Sequence, residues 1–482
     1  MGEGSASGSA EADGAPAPQT APDGPADRTS GSPGNARRLW SDGWVVFVAA
    51  AWVGLMVRGW QLAGMAPSWW QDSYDYDAVG SHPLWSPDLL AGDRVPLPSY
   101  LIAVLGGPPG NRFVWFEAIV ACLCWAALAV QVSAVMPTAV RRWVAAALIV
   151  GFSVTTPVTI WDRSVLSESL GISLLAASVA AGIWFLRRPG RVRLAVLVVA
   201  VSAWVATRDS NVVVVVFLAL AFGAVWFVER RRRPERPRRL WAVGALALVV
   251  VAGLSVASAS HGERYLYPLA NVYTARVLPY PDRLQWFLDQ GMPDLERFHV
   301  EAPSDPTKAP IVGLPRPGED PAMDDWWQWF DEHGRTTWLA WVATHPAYLV
   351  TEPLQRPERV YNNADGTIMG YEGTGNNRVP GVTSLLWLPT IPTVAVSAVL
   401  LAWELRRRRA VAPLVVAGGF CVVAAGPLAF AAWHSDGMES ARHLFLAAVL
   451  VRVGALLAVA AAIEGLPGGV GSDEPAAVAP PA

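Results

Sequence analysis

Long apolar runs, separated by short polar or arginine-rich breaks, set the pattern of the chain. A bilayer core needs roughly 20 apolar helical residues. Length and flanking charge together predict about ten transmembrane helices, at about 43 to 64, 113 to 135, 141 to 160, 166 to 186, 192 to 207, 211 to 228, 239 to 259, 381 to 403, 410 to 432 and 443 to 463. Alternation from a cytoplasmic start puts Arg141 and Arg142, the group Arg187 to Arg193, the run Arg230 to Arg239 and the cluster Arg406 to Arg409 inside, as the positive-inside rule requires. It also puts the seven histidines on the outer face or at an outer mouth, which played no part in choosing the spans. The reading is an all-α integral membrane protein of the plasma membrane, multi-pass, with both termini cytoplasmic.

Domain organisation follows. Residues 1–36 and 464–482 are rich in Ala, Gly and Pro with no apolar face, and read as disordered cytoplasmic tails. Residues 37–259 form the first seven spans, with an outer loop at 65–112, and 381–463 the last three. Between them, 260–380 is too long for a structureless loop and is expected to form an extracytoplasmic domain.

Composition agrees: of 482 residues, 53% are hydrophobic and 16% charged, so a soluble enzyme is excluded. A net charge of -3 gives nucleic-acid binding no support. Cys122, Cys124 and Cys421 all sit in apolar runs, which excludes a disulfide framework and a cysteine metal site.

Polar chemistry gathers at the outer mouths. Directly after the first span comes Trp69-Trp70-Gln71-Asp72-Ser73-Tyr74-Asp75-Tyr76-Asp77, three carboxylates interleaved with aromatics where hydrocarbon gives way to water. The bland alternative is a solvated acidic loop with an interfacial aromatic belt. Between spans three and four lies Trp161-Asp162-Arg163-Ser164-Val165-Leu166-Ser167-Glu168, where Ser164 or Ser167 could simply cap a helix opened by Glu168. Thr207-Arg208-Asp209-Ser210-Asn211 is either a phosphate donor site at Arg208 or a hairpin closed by an Arg208–Asp209 pair. Before the last span, in a helix running from about position 436, three residues fall on one face at i, i+3 and i+4, namely Glu439, Arg442 and His443, and the alternative there is an N-terminal cap with an intrahelical Glu439–Arg442 pair. Arg58 and Arg452 lie within spans and either snorkel or face inward toward an acid such as Glu117. The aromatics at 326, 330, 338 and 341 suggest an interfacial helix, with sugar stacking as the other reading. The strip Tyr361 to Thr367 reads as a turn-rich loop or an acceptor-binding segment.

An apolar first span, an acid soon after it with a tyrosine a few positions on, and the later run Gly92-Asp93-Arg94-Val95-Pro96-Leu97-Pro98 resemble the C-type membrane glycosyltransferases. Glu168 at the start of its span resembles that family too, and the pattern ending in Arg442-His443 resembles actinobacterial membrane sugar transferases. The resemblance implies transfer of a sugar from a polyprenyl-phosphate donor to a cell-envelope glycan, lipid or protein acceptor, in cell wall biosynthesis, on the extracytoplasmic face. Asp72 matches the family's catalytic acid and Tyr76 the following aromatic. Asp75 and Asp77 leave the base open among three. Arg208, Arg442, His443 and Arg163 are the candidates for the donor phosphate; Glu168, Tyr76, Asp77 and Glu439 are the candidates for orienting substrate.

The chemistry supports that assignment independently. A carboxylate can take the acceptor's proton and favour positive charge at the anomeric carbon, and guanidinium groups suit a leaving phosphate. The acidic triplet could ligate a divalent cation, which stays undecided. No glycine-rich phosphate loop is found, so no nucleotide cofactor is expected. The competing classes are a secondary transporter or flippase of a lipid-linked precursor, and an outer-face scaffold.

Overall fold

A computed structural model describes residues 33–105, 111–232, 239–295, 315, 317–354, 386–407, 412–437 and 440–466. The described residues are helical and carry no strand; the single β-bridge joins Ser68 to Ser164. In chain order the helices are α1 (Pro33–Leu62), α2 (Gln71–Gly80), α3 (Asp88–Ala91), α4 (Pro96–Leu105), α5 (Asn111–Ser133), α6 (Ala139–Ser153), α7 (Thr156–Thr159) and α8 (Glu168–Arg187). Then come α9 (Arg191–Val205), α10 (Val212–Arg232), α11 (Arg239–His261), α12 (Leu266–Arg276), α13 (Pro281–Asp289) and α14 (Asp324–Trp329). The series closes with α15 (Arg335–Thr344), α16 (Pro346–Leu354), α17 (Thr390–Arg407), α18 (Pro413–Ser435) and α19 (Ser440–Gly465).

Among the described residues each of the ten predicted spans overlaps a helix, but these helices do not all have the length and apolarity to cross. Seven do: Gly43–Leu62, Arg112–Ser133, Glu168–Arg187, Asp209–Arg231, Arg239–His261, Pro413–Ser435 and Arg442–Gly465. An eighth counts only if the pair Ala139–Ser153 and Thr156–Arg163, bent by 54°, is one span. Of the other two, α9 has 15 residues, and the 18 residues of α17 include Glu404, Arg406 and Arg407. The chain is thus an all-α multi-pass membrane protein in which seven helices among the described residues, or eight with the bent pair, are long and apolar enough to cross, and the count of ten is not supported.

At the predicted tails, helix α1 already begins at Pro33 and α19 runs to Gly465. Residues 1–32 and 467–482 lie outside the described residues, as does the strip 361–367.

The bundle core is built mainly from α5, α8, α18 and α19. Helices α18 and α19 approach closely because Gly418 and Gly454 face one another; a Cβ on Gly418 would sit 3.1 Å from the Gly454 carbonyl oxygen. A second apolar cluster joins the inner faces of α8 to α11, including Phe185, Phe222 and Leu248.

The third cluster corrects a sequence expectation. Trp326, Phe330, Trp338 and Trp341 neither lie in an interface nor offer a stacking surface: they are buried around Tyr273 and Phe287, and tie α12, α13, α14, α15 and α16 into one unit. Burying indole rings edge-to-face removes large apolar area from water, which is why these residues form a core of their own. At its base, Glu352 accepts from Arg276 at 2.8 Å and Arg283 at 2.7 Å, and the Arg276 guanidinium lies 4.0 Å over the Trp433 ring. That stack fixes the unit on α18.

Two buried arginines find protein partners instead of snorkelling. Arg58 of α1 pairs with Asp162 at 2.9 Å and donates to the Ser153 carbonyl at 2.8 Å, so its acid is not Glu117. Arg452 of α19 donates to Leu388, Ala448 and Thr390 and lies 3.8 Å over the Trp387 ring.

Candidate active site

The acidic stretch after the first span is a helix, not a loop. Ser73 starts it: its N–H donates to the Trp70 carbonyl, and its Oγ accepts from the Trp70 N–H at 2.9 Å. The same hydroxyl donates to the Val165 carbonyl at 2.8 Å, and the Ser68–Ser164 bridge lies beside it, so α2 is pinned against the entry to α8. On a helix, residues at i, i+3 and i+4 share a face. Asp72, Asp75 and Tyr76 therefore line up together, whereas Asp77, at i+5, is turned about 140° away from Asp72.

That face meets arginines from three other places in the chain. Arg442 at the start of α19 bridges two acids: its Nη2 lies 2.7 Å from Asp72 Oδ2 and its Nε 2.5 Å from Glu168 Oε1. Arg94, just before α4, lies 3.4 Å from Asp72 Oδ1 and pairs tightly with Asp75. Arg208, between α9 and α10, lies 3.4 Å from Glu168 Oε1 and donates to His443 Nδ1 at 2.5 Å. Three guanidiniums thus interleave with three carboxylates.

Because a guanidinium can only donate, His443 Nδ1 must be an acceptor and its proton sits on Nε2. Nε2 then donates to Asp436 at 3.1 Å, and the other Asp436 oxygen accepts from Asn271 of α12 at 3.2 Å. Gly437 makes this possible, since a Cβ there would lie 2.2 Å from the Asn271 carbonyl oxygen.

Electrostatics follow from the packing. Burial acts to raise the pKa of Asp72, but the charges of Arg442 and Arg94 outweigh it and bring the value down to about 2. Tyr76 is buried beside these acids; desolvation first, then Asp72 and Glu168, push its phenol up to about 12, so it remains a hydroxyl. Glu168 is completely buried, while the Asp72 side chain is 26% exposed. Asp72 is therefore the most exposed acid of the cluster, ahead of Asp75 at 17%.

The capping and hairpin alternatives give way to these contacts. Ser167 makes no side-chain cap to α8. Asp209 does not close a pair with Arg208; it receives a two-pronged bond from Arg264, at 2.9 and 3.0 Å. Arg264 also donates to the Gly92 carbonyl at 3.0 Å, which fastens the end of α11 to the first loop.

No family model matches the chain, and no curated protein matches it. Solved structures of Archaeoglobus fulgidus proteins do. The archaeal oligosaccharyltransferase AglB in complex with an inhibitory peptide and a dolichol-phosphate is 13% identical, over 88% of this chain and 50% of its own, at a TM-score of 0.40. The oligosaccharyltransferase in the apo form is 13% identical, over 86% of this chain and 50% of its own, at a TM-score of 0.42. The chain thus spans about half the length of these structures, and a likeness of that degree assigns it nothing.

Of the residues singled out from the sequence, Asp72, Asp75, Tyr76, Glu168, Arg208, Arg442 and His443 come together. Arg163 is turned to another contact, donating to the Ala66 carbonyl at 3.5 Å. Glu439 lies outside the described residues. Arg94, Asp436 and Asn271 were not singled out as site residues. Arg94 could have been found, because it stands in the Gly92-to-Pro98 run; Asn271 had no signal, being one amide in a tyrosine-rich helix. Among the described residues no three His, Cys, Asp or Glu side chains are arranged to hold a metal ion.

Proposed function

We propose that the protein is a membrane glycosyltransferase that moves a sugar from a polyprenyl-phosphate donor to a glycan, lipid or protein acceptor of the cell envelope, on the extracytoplasmic face of the plasma membrane. The observation that carries the reading is the meeting of a partly exposed carboxylate, Asp72, with Arg94 and Arg442, and of Arg442's other partner Glu168 with Arg208, beside the ends of several spans. A sugar phosphate needs both halves of that cluster.

In this reading Asp72 takes the proton of the acceptor hydroxyl, whose oxygen attacks the anomeric carbon. The bond from that carbon to the phosphate oxygen breaks, and the electron pair leaves with the polyprenyl phosphate. Arginines stabilise the departing charge, more effectively than in bulk water because the site is largely buried. Glu168 holds Arg442 and Arg208 from behind, and the Asp436–His443 pair aims Arg208. Asp75 acts through Arg94, which favours Asp72 as the base.

A transporter or flippase reading draws less support, because Arg58 and Arg452, the cations within the spans, are held by protein partners.

The test compares lipid-linked sugars and envelope glycans in cells with the wild-type protein, a deletion, or Asp72→Asn at matched membrane expression. The expected result is loss of one glycan residue and accumulation of its polyprenyl-phosphate donor in both altered strains. A normal glycan profile in the Asp72→Asn strain would remove Asp72 as the base.

A further inference from the structure

We infer that Asp72 and the donor's phosphate compete for Arg442: an entering phosphate takes over the Arg442 guanidinium, and Asp72, retained by Arg94, is thereby converted into the proton acceptor. This rests on the polyprenyl-phosphate reading and adds an order of events to it.

Geometry supports the exchange. Of the two acids that Arg442 bridges, Glu168 is fully buried behind it and Asp72 lies on the solvent side, against the terminal Nη2. A phosphate approaching Arg442 from that side reaches the edge that Asp72 occupies. Charge counting points the same way. Arg94, Arg208 and Arg442 are already matched by Asp72, Asp75 and Glu168, with Asp436 a fourth carboxylate behind His443, so no cation is in excess and an added phosphate must displace a carboxylate or add to the negative charge of the cluster. Asp72 is the carboxylate best placed to yield.

Arg94 is the positioning residue in this scheme. It touches Asp72 and Asp75, which stand three residues apart on one face of α2, so it stays anchored by Asp75 when Asp72 loses Arg442. A carboxylate held by two guanidiniums is a poor proton acceptor, and release from one raises its basicity. Donor binding would therefore switch on the base only when a sugar is in place to be transferred.

The experiment measures binding of a short-chain polyprenyl monophosphate, carrying no sugar, to the full chain in lipid nanodiscs. Asp72→Asn is expected to bind at least about tenfold tighter than wild type, because the competitor is gone, whereas Asp75→Asn changes affinity less than about threefold. Adding Arg442→Gln to Asp72→Asn should abolish the gain. Unchanged or weaker binding by a cooperatively folded Asp72→Asn overturns the exchange, and Asp72→Ser reads the same question if the Asn variant does not fold. Equal gains in the Asp72 and Asp75 variants would reveal a general charge effect and overturn it too. No binding by folded wild type would overturn the donor assignment itself, and the exchange with it.

Discussion

Arg442 and Asp72 stand 370 positions apart in the chain and meet at 2.7 Å, with Glu168 completing the bridge at 2.5 Å on the other edge of the same guanidinium. A planar fork can serve two carboxylates at once; an ammonium group cannot hold that geometry. Arg442→Lys should therefore keep the charge and lose the arrangement. We expect glycosyl transfer to fall on the order of a hundredfold, about 2 to 3 kcal/mol in the barrier, with the protein still inserted and folded. Transfer assays in membranes at matched expression check this.

The same pairing makes a pH prediction. The pKa of Asp72 falls from 3.8 to about 2, so its contribution to stability is complete above about pH 4 and is lost as the pH drops through 2. The size is about 2 kcal/mol. Thermal unfolding of wild type and Asp72→Asn should differ clearly at pH 6, and the difference should shrink below pH 4. A gap that persists to pH 2 would mean that the ion pairs are not its source.

Glu352 ties α16 to Arg276 of α12 and Arg283 of α13 at a position 2% exposed, and so holds Arg276 where it lies over Trp433 of α18. Burial alone would raise its pKa, but Arg276 and Arg283 outweigh that and keep it below the ordinary range. Glu352→Gln leaves those cations without their carboxylate, at a cost of about 3 to 5 kcal/mol. Limited proteolysis is expected to cut between residues 266 and 354 faster in this variant, while the α18–α19 packing around Gly418 and Gly454 stays protected.

Gly437 gives a more local prediction. A methyl group there collides with the Asn271 backbone, so Gly437→Ala must push α12 away from Asp436. The expected outcome is a modest loss of stability, about 1 to 3 kcal/mol, with a larger loss of transfer as His443 and Arg208 lose their orientation. Gly437→Ala with full activity would show that the Asn271–Asp436 contact does not matter to the site.

Much of the bundle was legible because apolar length and arginine clusters act locally. The run after Gly43 and the run after Arg442 are long enough to cross a bilayer whatever surrounds them. Span number was less legible, since α9 and α17 are apolar enough to attract notice yet too short or too charged to cross alone. The tryptophans from 326 to 341 misled for a related reason: an indole is equally at home in an interface or a core, and only Tyr273 and Phe287 arriving from elsewhere decided between them.

What the sequence determined by itself was an all-α membrane chain whose polar residues collect at the ends of its apolar runs, with Asp72, Glu168, Arg208 and Arg442 among them. Those features follow from solvation, which each segment feels alone. Tertiary structure decided the pairing. It gave Asp209 to Arg264 instead of Arg208, Asp162 to Arg58, and Arg94 to both Asp72 and Asp75. Any of the arginines could satisfy any of the acids, so charge complementarity does not choose among them. The choice is made by helix packing, which fixes where each Cα stands before a side chain a few ångströms long can reach its partner.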